Sequence, residues 1–172
     1  MSDSIDIRRV TLTALMGALI FVLTRAIQIA TPVQGYIHLG DAGVFFSALA
    51  FGPTVAAIAG GLGTALADVT SGYAQWAIFS LLIHGFRGWL IGVIAYRDTR
   101  WPRLAFAILV STLAVMLGYF IAGTILLGAA SAVLELLPNA IQGLSGGLLG
   151  LPLYLAVRKA YPPLLSYSRR SA

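Results

Sequence analysis

The 172-residue sequence has no cysteine and little charge, since aspartate, glutamate, lysine and arginine together make up only 10% of it. The absence of cysteine excludes disulfides, thiol catalysis and cysteine-ligated metals. A soluble domain carries about 25% charged residues. Because 59% of the residues are apolar, the chain has more apolar surface than its own core can cover, and we expect a lipid bilayer to surround part of it.

Basic residues outnumber acidic ones, eleven to six, which gives a formal net charge of +5. No basic patch gathers them, so nucleic acid is not an expected partner. They instead indicate orientation in a bilayer whose cytoplasmic leaflet is anionic. The N-terminal segment MSDSIDIRRV is too polar for a cleaved signal peptide, so we expect the first apolar stretch to be a retained helix.

Apolar runs separated by turn residues predict an all-α, polytopic membrane protein: a single membrane domain, 1–172, with a six-transmembrane-helix bundle. The predicted helices cover about residues 8–30, 39–51, 53–69, 76–96, 102–127 and 131–157. The second is short for a spanning helix and is expected to tilt or to thin its surroundings. It ends before Pro53, a residue that suits the first turn of the next helix. A five-helix alternative treats residues 39–69 as one broken hairpin.

The distribution of basic residues sets the expected orientation. Nine of the eleven fall in the two tails and the loop 97–103, and these are Arg8, Arg9, Arg97, Arg100, Arg103, Arg158, Lys159, Arg169 and Arg170. The segments on the other side, about 31–38, 70–75 and 128–130, contain none. Short loops with this asymmetry follow the positive-inside rule, so both the N and the C terminus are expected in the cytoplasm.

Charged side chains inside or beside the apolar spans need a partner or a task, because each costs at least about 2.5 kcal/mol if unpaired. They are Arg25, Asp41, Asp68, Arg87 and Glu135, with His38 and His84 nearby. On the sixth predicted helix, Glu135, Asn139 and Gln142 follow at i, i+4 and i+7 and form a polar stripe. A matching stripe on the fourth begins at Ser80 and continues through His84 and Arg87 at a similar depth.

Two such stripes predict a pocket for a small molecule that opens on the outer side. The candidate substrate-binding residues are His84, Arg87, Asn139, Gln142, Trp76, Tyr73, Glu135, Arg25, His38 and Asp68, and Tyr119 is a further candidate at the mouth. Donors from His84 and Arg87 suit a planar, acceptor-rich heterocycle, and Arg87 also suits a carboxylate or phosphate. Structural alternatives stay open: Arg87 meets an internal carboxylate, Arg25 snorkels outward, and the aromatics form an interfacial belt.

Glycine and alanine recur four residues apart on several predicted helices, which favours close helix packing. The pairs are Ala14 and Ala18, Ala56 and Gly60, Ala57 and Gly61, Gly143 and Gly147, and Gly146 and Gly150. No pattern indicates an enzyme, because the sequence offers no serine–histidine–acid arrangement, no cluster of metal ligands and no loop that cradles a phosphate. We therefore expect no catalysis, no cofactor and no metal.

The order of these features resembles the substrate-binding (S) components of energy-coupling factor (ECF) vitamin transporters, over nearly the whole chain. The most specific stretch is YIHLGDAGVFFSALAFGPTVAAIAGGLGTALADVTSGY, residues 36–73. It contains a short helix, a break before Pro53 and a small-residue helix that ends at Asp68, and WAIFSLLIHGFRGWLIGVI then looks like the fourth helix of the family. Ala14 and Ala18 match the family's first-helix motif for docking on the transmembrane coupling subunit.

By this resemblance the protein captures a water-soluble vitamin or vitamin precursor, similar to riboflavin, hydroxymethylpyrimidine or pyridoxine, from outside a prokaryotic cell. It would work in the cell membrane as the substrate-binding subunit of an ATP-driven importer, with a transmembrane coupling subunit and two ATPase subunits. Two alternatives from other classes stay open. One is a structural or assembly subunit that binds no ligand, and the other is a self-sufficient small-molecule transporter.

Overall fold

The computed structural model describes residues 7–98 and 100–164, which form a helical bundle with one small hairpin. Its helices are α1 (Ile7–Ala26), α2 (Gly40–Phe51), α3 (Pro53–Thr70), α4 (Ala77–Ala95), α5 (Trp101–Leu127), α6 (Ala129–Leu134) and α7 (Leu136–Ala160). The hairpin joins β1 (Gln28–Ala30) to β2 (Tyr36–His38), and a 3-10 turn covers Ala74–Trp76. Helices α1, α4, α5 and α7 are long and apolar enough to cross a membrane. The protein is thus a multi-pass α-helical membrane protein.

Helix α2 lies at the centre of the bundle. All of its residues from Gly40 to Ala50 are buried, and α1, α3, α4 and α7 pack around it. Its 12 residues extend only about 18 Å. Because neighbouring helices rather than lipid cover this helix, its shortness does not require the bilayer to thin.

Two glycine pairs allow α7 to approach its neighbours closely. Gly143 and Gly147 lie against α5, whereas Gly146 and Gly150 lie against α2. A Cβ atom on Gly146 would come within 2.6 Å of the Cβ atom of Asp41, a distance at which one of the helices would have to shift. The predicted small-residue ridges on this helix are therefore confirmed as internal packing, against two different helices.

The chain after α1 differs from the prediction. The helix predicted over 8–30 ends at Ala26, and the next residues form β1, which pairs antiparallel with β2. Pro32 disfavours helical backbone in the residue before it, and strand pairing then satisfies the backbone N–H and C=O groups of this segment. The hairpin packs against α1 and α7 and so covers one end of the bundle.

The predicted sixth helix, 131–157, is two helices. Helix α6 ends at Leu134 and α7 begins at Leu136. Pro138 lacks the backbone N–H that would donate to the carbonyl of Leu134, so the helical hydrogen bonds are interrupted here. The bend places Glu135 beside the hairpin, where its Oε1 atom accepts a hydrogen bond from the backbone N–H of Val33 at 3.2 Å.

The loop between α4 and α5 lies at the end of the bundle opposite the hairpin. Asp98 pairs there with Arg100 at 2.7 Å and with Arg103 at 2.8 Å, and hydrogen bonds from Arg100 lower the pKa of Asp98 to about 2. This loop still contains three arginines against one acidic residue, as the positive-inside orientation requires. Arg169 and Arg170, which were predicted on the same side, lie outside the described residues.

Candidate ligand-binding site

A cavity lies where the hairpin meets the ends of α3 and α5 and the beginnings of α4 and α7. It is lined by Gly35, Tyr36, His38, Asp68, Trp76, Ser80, Tyr119, Glu135, Asn139 and Gln142. These residues are far apart in sequence, so only the folded bundle brings them together. The space in it that admits water is about 30 Å³, which is room for a water molecule or two. The cavity is partly open to its surroundings.

The carboxyl group of Asp68 has one satisfied oxygen and one unsatisfied oxygen. The hydroxyl of Tyr36 donates to its Oδ1 atom at 2.5 Å. Burial, reinforced by Asp68, raises the pKa of Tyr36 well above its usual value, so the phenol keeps the proton that it donates. The Oδ2 atom has no hydrogen-bond partner among the described residues. Ser80 is a neighbour of this carboxyl group, and its hydroxyl makes a hydrogen bond with that of Tyr119.

His38 and Gln142 connect the hairpin to α7. The backbone N–H of His38 donates to Oε1 of Gln142 at 3.1 Å, and the ring Nδ1 atom accepts from the backbone N–H of Gly40 at 3.1 Å. Burial lowers the pKa of His38 to about 3, so its ring is neutral and carries its proton on Nε2. Because the amide oxygen of Gln142 is already engaged, its NH₂ group is the part of the side chain that remains to donate.

Aromatic rings form the remaining walls of the cavity. The indole N–H of Trp76 donates to the carbonyl of Gln34 at 2.9 Å, which ties the hairpin turn to the beginning of α4. The rings of Trp76 and Tyr119 lie with their centroids 6.0 Å apart. The hydroxyl of Tyr119 lies 2.7 Å from Oγ of Ser80 and 3.0 Å from Nε2 of His84. Tyr119 therefore links the cavity to deeper polar residues.

Those deeper residues are Asp41, His84 and Arg87, here called the buried ion cluster, and all three are fully buried. Arg87 donates through Nη1 to Asp41 and through Nη2 to the carbonyl of Gly143, the latter at 2.7 Å. Nδ1 of His84 lies 2.8 Å from Oδ1 of Asp41. Nε of Arg87 has no hydrogen-bond partner in the described part of the chain, but Asp41 balances its charge. The cluster thus compensates its charges inside the bundle.

The structure places the predicted site residues in different surroundings. Six of them line the cavity, namely His38, Asp68, Trp76, Glu135, Asn139 and Gln142. His84 and Arg87 lie behind it in the buried ion cluster. Tyr73 packs outside it against Tyr36, with ring centroids 4.8 Å apart, and Arg25 is exposed in the last turn of α1. The α7 stripe therefore faces the cavity, whereas the deeper half of the α4 stripe faces Asp41.

Sequence reasoning missed two lining residues, Gly35 and Tyr36. A signal for Tyr36 existed, because it lies two residues before His38 and such residues share one face of a strand. The signal was hidden because this segment was predicted as an irregular loop. A hairpin prediction would have placed the side chains of Tyr36 and His38 on the same face of the strand.

A larger groove, about 1080 Å³ in volume, runs between α1 and α3 on the flank of the bundle. Its lining is mostly small and apolar and includes Ala14, Ala18 and Gly17, while Arg9 is its charged residue. Ala14 and Ala18 are both exposed. Sites for small water-soluble molecules need several converging polar groups. Because most of the groove lining is apolar, the groove is better suited to packing another helix than to binding such a molecule.

The fold and the cavity together define a multi-pass α-helical membrane protein with a polar, aromatic-lined cavity at one end of its bundle. Residues 4–159 match the model of a family described as the S component of ECF-type riboflavin transporters. The chain belongs to this family of S components, as its resemblance to them had predicted.

Two relatives and one solved structure are similar to the chain. The thiamine precursor transporter HmpT of Lactococcus lactis subsp. cremoris is 37% identical over 146 residues, 84% of each protein. An uncharacterized protein in the gap 3′ region of Pyrococcus woesei is 35% identical over 145 residues, 84% of this chain and 97% of the relative. The crystal structure of FolT bound with folic acid matches with a TM-score of 0.72, over 87% of this chain and 93% of FolT. At 17% identity, that match shows the shared fold alone.

Proposed function

We propose that the protein is the substrate-binding subunit of an ECF-type importer and captures a water-soluble vitamin or vitamin precursor in the cavity. The observation that carries this proposal is the convergence of aromatic rings, amides and carboxyl groups on one small space. Such a set of groups is typical of small-molecule sites. The relative HmpT, whose name describes a thiamine precursor transporter, favours a precursor of modest size.

In this proposal six segments cross the cell membrane of a prokaryote, with α6 and α7 together forming the sixth. Both termini lie in the cytoplasm, on the side of the arginine-rich loop between α4 and α5. The cavity lies at the other end of α4, a helix of 19 residues that extends about 28 Å. The positive-inside rule therefore directs the cavity to the outside.

The groove between α1 and α3 supplies the proposed docking surface for the transmembrane coupling subunit, through which two ATPase subunits drive transport. The small side chains of Ala14 and Ala18 let a partner helix approach closely. Replacing both with leucine should abolish co-purification with the coupling subunit while leaving ligand binding and thermal stability unchanged. Ala105→Leu is the matched control, since Ala105 is exposed on α5. Unfolding of the double variant would instead assign the two alanines to internal packing.

The ligand proposal is tested by mass spectrometry of small molecules that co-purify with the protein, followed by thermal-shift titration against a broad vitamin panel. We expect one chemical class to co-purify and to raise the unfolding temperature saturably. If no compound co-purifies and no member of the panel binds, the proposal fails and a ligand-free assembly subunit is the better interpretation.

Reconstitution in vesicles tests the coupling. Uptake of the bound compound should require the coupling subunit, the ATPases and ATP. Uptake by this chain alone would contradict the proposal and support a self-sufficient transporter.

A further inference from the structure

The loop between α4 and α5 holds two arginine side chains on a single carboxylate. Arg100 donates to Oδ2 of Asp98 through Nε at 3.0 Å and through Nη2 at 2.7 Å, and Nη1 of Arg103 lies 2.8 Å from the same oxygen. The side chain of Asp98 is 14% exposed, whereas those of Arg100 and Arg103 are 68% and 56% exposed. Because one carboxylate balances only one guanidinium group, the pair keeps one positive charge for another anion.

The end of α7 brings further basic side chains to the level of this loop. Helices α5 and α7 are antiparallel neighbours, because Gly143 lies against Thr112, and Gly147, one turn later, lies against Ile108, one turn earlier. Three more such steps of four residues take α7 to residue 159 and α5 back to the level of residue 96. The basic last turn of α7 therefore ends beside the loop.

Exposed apolar residues begin directly after the first of these arginines. Trp101 follows Arg100, and Phe106, Leu109 and Leu113 on the next turns of α5 are each more than half exposed, as Trp101 is. Tryptophan is enriched at the boundary between membrane and water. The loop arginines therefore lie at the level of the phospholipid headgroups, at the edge of an apolar surface that lipid chains cover.

This corner of the bundle is strongly basic. In the described part of the chain it contains five basic residues against one acidic residue, Asp98. The basic residues are Arg97, Arg100, Arg103, Arg158 and Lys159. In the orientation proposed above, the corner faces the cytoplasmic leaflet, whose anionic lipids attract lysine and arginine near the surface. Guanidinium groups also match phosphate with paired N–H donors.

We propose that Arg100 and Arg103, together with the basic last turn of α7, bind the headgroup of an anionic phospholipid of the cytoplasmic leaflet. The guanidinium N–H groups that do not face Asp98 donate to the lipid phosphate, and the acyl chains lie along the exposed apolar face of α5. Asp98 is a positioning residue that holds the two guanidinium groups side by side. The inference goes beyond the proposed function, because it concerns the end of the bundle opposite the cavity and shares only the orientation.

Native mass spectrometry of the purified protein in a neutral detergent tests the site. The protein is titrated with dioleoyl phosphatidylglycerol, dioleoyl phosphatidylcholine or inorganic phosphate. Phosphatidylglycerol should bind at least about tenfold more tightly than phosphatidylcholine, because both carry a phosphate but only the first has a net negative charge. Inorganic phosphate should not displace it, since free phosphate lacks the chains that pack on α5. Equal affinity for the two lipids, or displacement by an equal concentration of inorganic phosphate, overturns the inference.

The double variant Arg100→Gln/Arg103→Gln should bind phosphatidylglycerol about tenfold to thirtyfold more weakly, roughly fivefold for each charge removed. Arg8→Gln/Arg9→Gln is the matched control, because it removes the same charge from the beginning of α1, which packs on α2 and α3. Helix α1 runs antiparallel to α2, so the control lies at the same end of the bundle. It should weaken binding by less than about threefold, since solvent ions screen distant surface charges. An equal loss in both variants would show a diffuse basic surface in place of a site.

A lysine variant tests the geometry of the guanidinium pair. Arg100→Lys/Arg103→Lys keeps both charges and can still pair with Asp98, but it lacks the planar fork of donors. It should bind phosphatidylglycerol about threefold to tenfold more weakly, and it decides the question if the glutamine variant fails to fold. Affinity equal to that of the wild type would overturn the inference.

An acidic polypeptide is the competing occupant of this corner. If polyglutamate displaces phosphatidylglycerol from the wild type at concentrations below that of the lipid, the corner belongs to an acidic protein partner and the inference fails. None of these measurements uses a vitamin or the cavity, so the failure of the lipid site leaves the proposed function standing.

Discussion

The buried ion cluster and the cavity are adjacent polar regions that use similar side chains in different ways. In the cluster, Asp41 is paired with Arg87 and contacts His84, and all three side chains are shielded from solvent. In the cavity, Asp68 accepts one hydrogen bond and keeps its second oxygen open. Charge inside a membrane domain therefore indicates a binding function only where the protein does not itself supply the partner.

Breaking the buried ion cluster should have the largest effect on the stability of the protein. Arg87→Met leaves the carboxylate of Asp41 buried without its counter-charge, which should lower the free energy of unfolding by about 3–5 kcal/mol. Chemical denaturation in detergent measures this loss. Arg25→Met is the control, since removal of an exposed arginine at the end of α1 should change stability by less than about 0.5 kcal/mol.

Adding Asp41→Asn to Arg87→Met should restore part of the lost stability, because the uncompensated charge disappears. A stable Arg87→Met protein that no longer binds its ligand would contradict the comparison. That result would return Arg87 to the direct ligand contact predicted from the sequence.

The contrast between the two regions also shows what the sequence could and could not predict. The stripe of Glu135, Asn139 and Gln142 was predicted correctly as one face, because helical spacing alone determines it. That Arg87 meets an internal carboxylate was an open alternative, but Asp41 was not identified as that partner, since the pairing depends on how closely α2 approaches α4. Spacing along one helix carries no information about that approach.

Backbone breaks limited the prediction of the fold in the same way. Residues 27–30 continue the apolar run of α1, so periodicity extended the helix, whereas the structure forms a hairpin in which Tyr36 reaches Asp68. Pro138 indicated a break near Glu135, but the long apolar pattern led to the prediction of one continuous sixth helix. Both misses affect the wall of the cavity, because β1 pairs with the strand that carries Tyr36 and the second break places Glu135 among the lining residues.

The second largest effect is expected from the protonation of His38, which changes stability with pH. His38 lines the cavity, and its ring lies 5.3 Å from that of His84, centroid to centroid. The unfolded chain takes up a proton on this residue near pH 6.5, and the folded protein does so only near pH 3. Its contribution to stability is thus complete above pH 6.5 and is lost as the pH falls toward 3.

The free energy of unfolding in detergent, compared between pH 7 and pH 4, measures this contribution. The wild type should lose more stability over that range than His38→Asn, whose amide oxygen can still accept from Gly40 but does not titrate. An equal loss in the two proteins would show that His38 is already accessible to water in the folded state.

Removing the hydroxyl of Tyr119 should have the smallest effect on stability, because this residue links the two regions without carrying charge. Tyr119→Phe removes a hydroxyl near Ser80 and His84 but keeps the ring, so unfolding should become easier by about 0.5–1.5 kcal/mol. Denaturation against Tyr154→Phe, a buried tyrosine on α7, provides the control. A loss as large as that of Arg87→Met would mean that the cavity and the cluster form one cooperative unit.

The most direct test of the division between the two regions is an experimental structure of the protein with its co-purified ligand. The account predicts that the ligand ring lies among the aromatic residues of the cavity, with a donor group within hydrogen-bond distance of Asp68, and that Arg87 still pairs with Asp41. A ligand bound to Arg87 in place of Asp41, or one that occupies the groove between α1 and α3, would contradict it.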